Sequence, residues 1–369
     1  MSKAIAVMRP RLPDAQMLLP YLRRIDETRV YSNQGPLSME FERRIEAMLD
    51  LPEHGFVSAG NGTAALVAAI LATAGRASAD RPLALIPAYT FVATASAVQQ
   101  CGYTPLLADI DPVSWGLDPR RLLGAPFIER LGVVVPVAPF GRPQRQRDWQ
   151  EFLDTTSVPV VFDGAASFDV CSGADVLGAL PVAMSFHATK SFATGEGGGI
   201  ATTDVDLAMR VRRALNFGFL MSRSSCSASI NGKMSEYHAA VGLAELDGWE
   251  QKRAALREVA ARYRHHAAQA GIADRIVTSP DISATYVLFV AADAAAATAV
   301  ERALADEAIG SRHWYGLGIQ KEPYFLDLPR EELPVTERLA PSILGLPVAP
   351  DLPDDAIGRV IRSVASRCN

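Results

Sequence analysis

No stretch of this 369-residue chain approaches the roughly 18 consecutive apolar residues that a membrane-spanning helix requires, and residues 1–13 lack the apolar centre of a signal peptide. A membrane protein is therefore not expected, and the cytoplasm is the expected location. No surplus of basic residues exists either. The net charge is −5 and Lys and Arg are scattered among Asp and Glu, which leaves no footprint for nucleic acid. The four cysteines, Cys101, Cys171, Cys226 and Cys368, are far apart and form no CxxC pair, so neither a zinc site nor a redox motif can be read from them. Repeats of fixed period are missing, and the longest biased tract is the alanine-rich Ala291 to Ala297, which reads as the start of a helix.

What is present is an ordinary globular composition, 49% hydrophobic and 21% charged, in a chain long enough for two domains. Short apolar runs bounded by turn residues, Leu83 to Ile86, Leu106 to Ala108, Val133 to Val137 and Val158 to Phe162, read as buried strands. Helical patterns at Gly62 to Ala74 and Thr94 to Gln100 alternate with them. That alternation predicts an α/β fold with a mostly parallel sheet flanked by helices. Ser235 to Ala270 reads as helix with little interruption and would carry the chain into a smaller α+β unit. That unit holds a strand at Thr285 to Val290, an alanine-rich helix to Ala308 and a capped helix over Pro353 to Val364. The boundary falls between residues 245 and 275, giving a large domain over 1–245 and a small one over 246–369.

Residues 185–199 (SFHATKSFATGEGGG) carry the most chemical information. Lys190 stands between small hydroxyl residues, and the apolar Val182 to Met184 and Phe186 place it just after a buried strand. There an amine is partly desolvated and usable as a nucleophile toward a carbonyl, which is Schiff-base chemistry. Taken alone, Lys190 reads as a solvated surface lysine and the three glycines as a flexible turn. Val160-Val-Phe-Asp163 is an apolar strand ending in a carboxylate, at the sheet edge where α/β proteins form their ligand crevice. Asp163 can be a turn cap, or the partner that keeps the ring nitrogen of a pyridine cofactor protonated. Ala59-Gly-Asn-Gly62-Thr63 is a glycine turn entering an apolar helix, suited to an anion and equally to an ordinary cap by Asn61 or Thr63. Phe91, after the strand Leu83 to Ile86, either stacks on a planar ligand or belongs to the core.

In this order the segments resemble the DegT/DnrJ/EryC1/StrS family of fold-type I, pyridoxal-phosphate-dependent sugar aminotransferases. The likeness runs from Tyr31-Ser-Asn-Gln-Gly-Pro-Leu37, followed by Glu40 or Glu42, through GNGTAAL, PAYTFVATA, ADIDP, FDGAA and SFHATKSFATGEGG to Leu346-Pro347. It implies that Lys190 forms the Schiff base with pyridoxal 5'-phosphate, that Asp163 pairs with the pyridine nitrogen and that Phe91 stacks on its face. Gly62, Thr63 and Ser185 would bind the phosphate. Asn231 of a second subunit would reach the same phosphate, so that a homodimer shares its active sites, and residues 1–35 would lie near the substrate. The implied reaction moves an amino group, by family habit from L-glutamate, to a keto-sugar nucleotide, with a leaning to a 4-keto-6-deoxy sugar.

Two departures stand out. Ala166 occupies a position where the family usually has His or Gln, and Lys233 replaces an Arg that many members carry after the cross-subunit Asn, losing its bidentate fork. Related dehydratases have histidine for the lysine. Here Lys190 is present and His187 is only its neighbour. Two other readings stay open on sequence: a non-nucleotide ketone or cyclitol as the amino acceptor, and a regulatory protein that binds the cofactor without turnover.

Overall fold

The computed structural model describes residues 4–171, 173 and 175–368; residues 1–3 of the N-terminal segment and Asn369 lie outside the described part. Seven strands make the main sheet: β1 (Phe56–Ala59), β2 (Leu83–Pro87), β3 (Thr104–Ala108), β4 (Leu131–Val134), β5 (Phe162–Asp163), β6 (Val182–Ser185) and β7 (Gly198–Ala201). Parallel pairing gives β3-β2-β4, and the set β1-β7-β6-β5 joins it through parallel bridges Val134 to Val160 and Val137 to Asp163. Only β7 runs against its neighbours. β2, with every residue buried, is the continuous apolar run expected of a parallel strand covered on both faces.

Prolines shorten two of the expected strands. Pro136 interrupts Val133 to Val137 and Pro159 interrupts Val158 to Phe162, since proline has no N–H to give to a ladder. Their carbonyls still serve, taking Asp163 N at 2.8 Å and Val134 N at 2.9 Å. The glycine run is not a flexible turn. Gly198 and Gly199 lie in β7, where a Cβ on Gly199 would stand 2.1 Å from the Phe56 ring and one on Gly198 2.6 Å from the Met184 carbonyl. Only glycine lets this strand pass so close to both neighbours.

Among the helices, α1 (Ala15–Thr28) and α2 (Pro36–Leu49) precede the sheet, and α3 (Gly62–Thr73) and α4 (Val92–Gln100) pack against it. The run ALVAAIL in α3 is buried on every side, which is why its sequence is apolar all round. α2 is started by a distant residue: Glu236 accepts Leu37 N at 2.7 Å and Ser38 N at 2.9 Å, placing a carboxylate at the positive end of the helix. Glu42 in α2 is buried and accepts from Ser58 N and Oγ in β1 and from Arg212 Nη2 at 2.8 Å. The Glu40 carboxylate instead pairs with Arg24 nearer the surface.

The long helix expected over Ser235 to Ala270 is two helices, Glu236–Asp247 and Trp249–Gln269, divided at Gly248. Gly248 and its surroundings mark a change of environment as well. Trp249 belongs to the core of the main sheet, whereas Leu256, Val259, Tyr263 and Ala267 pack in a second core. That core covers an antiparallel sheet of β8 (Ile276–Thr278), β9 (Val287–Val290) and β10 (Ile343–Gly345), in the order β10-β9-β8. The helices Ala294–Asp306 and Asp354–Ala365 complete it. The last of these has Pro353 at its N-cap with no side-chain cap, and Asp354 and Asp355 in its first turn favour the dipole instead.

The two units exchange segments. Residues 5–8, expected with the large unit, bridge to Ile309 and Val348, and Ile5 lies in the second core. Ile319, Phe325 and Leu333, expected with the small unit, pack into the helical layer of the main sheet, and Leu107 bonds with Pro329 and Glu331. Burial of apolar faces decides this; chain order does not. Among the described residues no helix is long and apolar enough to cross a membrane.

Candidate active site

The carboxyl ends of the parallel strands bring the expected residues to one place. Asp163, at the end of β5, is 8% exposed, and its Oδ2 accepts from Thr94 Oγ1 at 2.7 Å and its Oδ1 from Ala165 N at 3.1 Å. Burial pushes its carboxyl above the usual carboxylate range, while Thr94, the Ala165 amide and the nearby Lys190 ammonium pull the other way. The cap to Ala165 is real, but a cap alone does not call for a buried charge with so few donors. Such a group is either protonated or completed by a cation.

Lys190 lies in the turn after β6, held by its amide to the His187 carbonyl at 2.8 Å, and it is partly buried. Its Nζ donates to Tyr286 Oη at 3.2 Å. His187 turns outward, bonding Thr189 Oγ1 at 2.8 Å with Glu196 3.8 Å from its other nitrogen.

At the anion-binding end, Asn61 caps α3 by accepting from Ala64 N at 2.8 Å. The amides of Gly62 and Thr63 meet no acceptor among the described residues. Both readings of this turn therefore hold together, since the cap uses one amide and leaves the first two free. Ser185, at the end of β6, abuts the turn so closely that a Cβ on Gly62 would stand 2.7 Å from the Ser185 Cβ. The glycine is required by that approach.

Phe91 is not core. It occupies the N-cap of α4 and is 56% exposed, one turn before the Thr94 that holds Asp163. A large apolar ring left open three residues before the threonine that bonds Asp163 suits a planar ligand lying over it. Asn231 is exposed, and its segment is tied to the chain's own glycine turn before α3, with the Gly232 carbonyl accepting Gly60 N at 2.7 Å. Asn231 Oδ1 accepts from Lys233 Nζ at 2.6 Å, and that ammonium stands 4.5 Å from the centre of the Phe217 ring. Burial lowers the Lys233 amine from its usual value.

The structure adds residues that no spacing signalled. Thr94 lies in the PAYTFVATA segment, but the sequence assigns it no role. Tyr286 and Tyr315 come from the C-terminal third, and with Tyr89 and Phe140 they form an aromatic cluster that also contains Ala166. Burial raises the hydroxyls of Tyr89 and Tyr315 far above the ordinary tyrosine value, so both stay protonated. Ala166 is 7% exposed and presents only a methyl group to this cluster.

A partly buried lysine, a buried carboxylate near it, free amides at a helix start and an open aromatic ring fit a phosphorylated pyridine aldehyde. This is the donor set of a Schiff-base cofactor site. The chain belongs to the DegT/DnrJ/EryC1/StrS aminotransferase family, which it matches over residues 14–365, and is a pyridoxal-phosphate-dependent aminotransferase. It is similar to a putative PLP-dependent aminotransferase from Bacillus cereus ATCC 10987, at 26% identity and a TM-score of 0.90, covering 98% of this chain and 100% of that one. It is also similar to DesI, solved in the presence of its TDP-sugar product, at 32% identity and a TM-score of 0.86, with 99% and 93% covered. Among curated proteins it is 31% identical to the dTDP-4-amino-4,6-dideoxy-D-glucose transaminase of Shigella dysenteriae over 250 residues, 67% of this chain and 66% of that protein.

Proposed function

We propose that this aminotransferase moves the amino group of L-glutamate to a keto-sugar nucleotide, with a 4-keto-6-deoxy sugar as the favoured acceptor. The likeness to DesI and to the Shigella dysenteriae transaminase, whose names place a TDP-sugar and a 4-amino-4,6-dideoxy sugar in their sites, carries the substrate class. The juxtaposition of Lys190 and Asp163 carries the chemistry. Bound pyridoxal phosphate supplies an electron sink for the carbon that loses its proton. Asp163 would keep the ring nitrogen protonated through its buried carboxylate, one oxygen of which Thr94 fixes. Lys190, once its Nζ is free, would take the proton from the amino donor's carbon as general base and give it back from the same Nζ as general acid. The amides of Gly62 and Thr63 with Ser185 would hold the phosphate, and Phe91 would cover the ring.

Incubation with L-glutamate and a nucleotide-linked 4-keto-6-deoxy sugar tests the reading. Release of 2-oxoglutarate, together with a sugar nucleotide whose mass reports a carbonyl oxygen replaced by an amine, is the expected result. Consumption of glutamate with no keto-sugar nucleotide discharged would point to an acceptor of another class.

The site is proposed to be shared across a homodimer, in a cytoplasmic protein. A phosphate near two negative charges needs several donors, and Gly62, Thr63 and Ser185 contribute no Lys or Arg. Asn231 is exposed, and with its Oδ1 held by Lys233 its N–H groups meet no acceptor among the described residues, which suits a reach into a neighbouring subunit. Mixing Lys190→Ala with Asn231→Ala subunits then puts both defects in one site and leaves the other intact. Activity of about a quarter of the wild-type level is expected after random exchange in a two-fold symmetric dimer. No recovery, with exchange shown independently, would confine Asn231 to its own subunit.

A further inference from the structure

We propose that Tyr286 is a positioning residue for the Lys190 amine, and that the buried carboxylate of Asp169 sets the distance between them. The inference rests on Lys190 being the lysine that takes the cofactor.

Tyr286 is 4% exposed, one residue before β9, and its ring is clamped edge-on by Phe140 and Trp314, with centroids 5.5 Å away in each case. Its hydroxyl is therefore stationary. Lys190 ends a flexible four-carbon stem, and a fixed partner for Nζ removes much of that freedom. A phenol suits both states of the amine, since it accepts from the ammonium and donates to the free base. Nζ can thus stay at one point while its proton is given up and taken back. Ala166, in the same cluster, has only a methyl group to offer, so polar contact on this side of the site falls to the tyrosine.

Lys190 follows β6 of the main sheet and Tyr286 precedes β9 of the antiparallel sheet, and their separation has to be fixed by something that crosses between the two. Asp169 does so. It is 6% exposed, its Oδ1 accepts from Ser191 Oγ at 2.8 Å and from Ser283 Oγ at 2.6 Å, and its Oδ2 accepts from Ala284 N at 2.8 Å. Thr285 Oγ1 adds a bond to the Thr189 carbonyl at 3.3 Å. Residues 189–191 and 283–285 are stitched together immediately beside the amine and the phenol. A buried carboxylate with three donors has one geometry at low energy, which gives the contact its register.

The test uses Tyr286→Phe, Asp169→Asn and the double variant, with two measurements. The first is the rate at which cofactor-free protein recaptures pyridoxal phosphate, trapped by borohydride and mapped to a lysine. The second is turnover of the loaded enzyme with L-glutamate. Tyr286→Phe keeps the ring and is expected to slow recapture at Lys190 and lower kcat about tenfold each, the size of one hydrogen bond, with KM changed less than about twofold. Asp169→Asn should match it. The double variant should be no slower than the slower single one, because both act on one contact. Should Asp169→Asn not fold, Ser283→Ala removes one of its three donors and is expected to give a smaller slowing of the same kind. Recapture at Lys190 by Tyr286→Phe at the wild-type rate overturns the role of the tyrosine alone. Trapping of the wild-type adduct on another lysine overturns the site assignment with it. Independent, multiplying effects of the two substitutions overturn the role given to Asp169.

Discussion

Replacing Lys190 by alanine is expected to abolish the covalent attachment of pyridoxal phosphate and to lower turnover by about 10²–10⁴-fold, the range a positioned general acid/base contributes. Two separate tasks meet in this one amine. It would be the group that reaches the cofactor's carbonyl, and it would be the base beside Tyr89 and Tyr315, whose hydroxyls hold their protons. His187 offers no substitute, because its ring is bonded to Thr189 and faces Glu196 at the surface. Purified wild-type protein should be yellow, and borohydride followed by peptide mapping should place the adduct on Lys190. An adduct on any other lysine, or near-normal turnover in Lys190→Ala, would remove it from the chemistry.

Asp163→Asn is expected to leave attachment intact and to lower kcat by about 10²–10³-fold, the loss typical of removing one preorganised electrostatic partner. A neutral amide cannot hold the ring nitrogen protonated, and the electron sink weakens accordingly. Unchanged kcat with weakened substrate binding would leave Asp163 as a cap for Ala165.

Stability carries a second signature of the same carboxylate. In cofactor-free protein burial holds Asp163 above its ordinary value, so the folded chain binds more proton than the unfolded chain from about pH 4, the ordinary aspartate value, upward through the raised one. Stability from this group is therefore greatest at low pH and is lost as pH rises through that window. Pairing with a protonated ring nitrogen returns the carboxylate to its charged form in the folded state and removes the loss. The stabilisation given by the cofactor should then grow with pH across the window in wild type and stay flat there in Asp163→Asn. Thermal melts with and without cofactor at several pH values measure it, and parallel wild-type curves would contradict the pairing.

Much of the site was legible in the chain because its parts are local. Lys190 after an apolar run, Asp163 at the end of another, and a glycine turn before the apolar α3 are short-range signals of strand ends and helix starts. In a mostly parallel sheet those ends converge on one edge. The same locality explains the misreadings. A run of three glycines signals flexibility until Phe56 and Met184 are seen to leave no room for a Cβ, and Phe91 is ambiguous until its exposure is known. Asp247-Gly248 is a turn signal within residues 235–270, but Gly242 sits inside a helix, so the chain alone does not settle that the helix divides at Gly248, where two cores meet.

The sequence alone determined the class of sheet and the family and marked Lys190 and Asp163 as the candidate lysine and carboxylate, since each depends on residues adjacent in the chain and on their order. The tertiary structure alone decided which residues complete that site. Thr94 meets Asp163 across 69 residues of sequence, Tyr286 meets Lys190 across 96, and Asp169 reaches Ser283 across 114. No periodicity links positions so distant. They are brought together only when the apolar faces of separate segments are buried against one another, and the polar groups carried along must then find partners among whatever that burial has placed beside them.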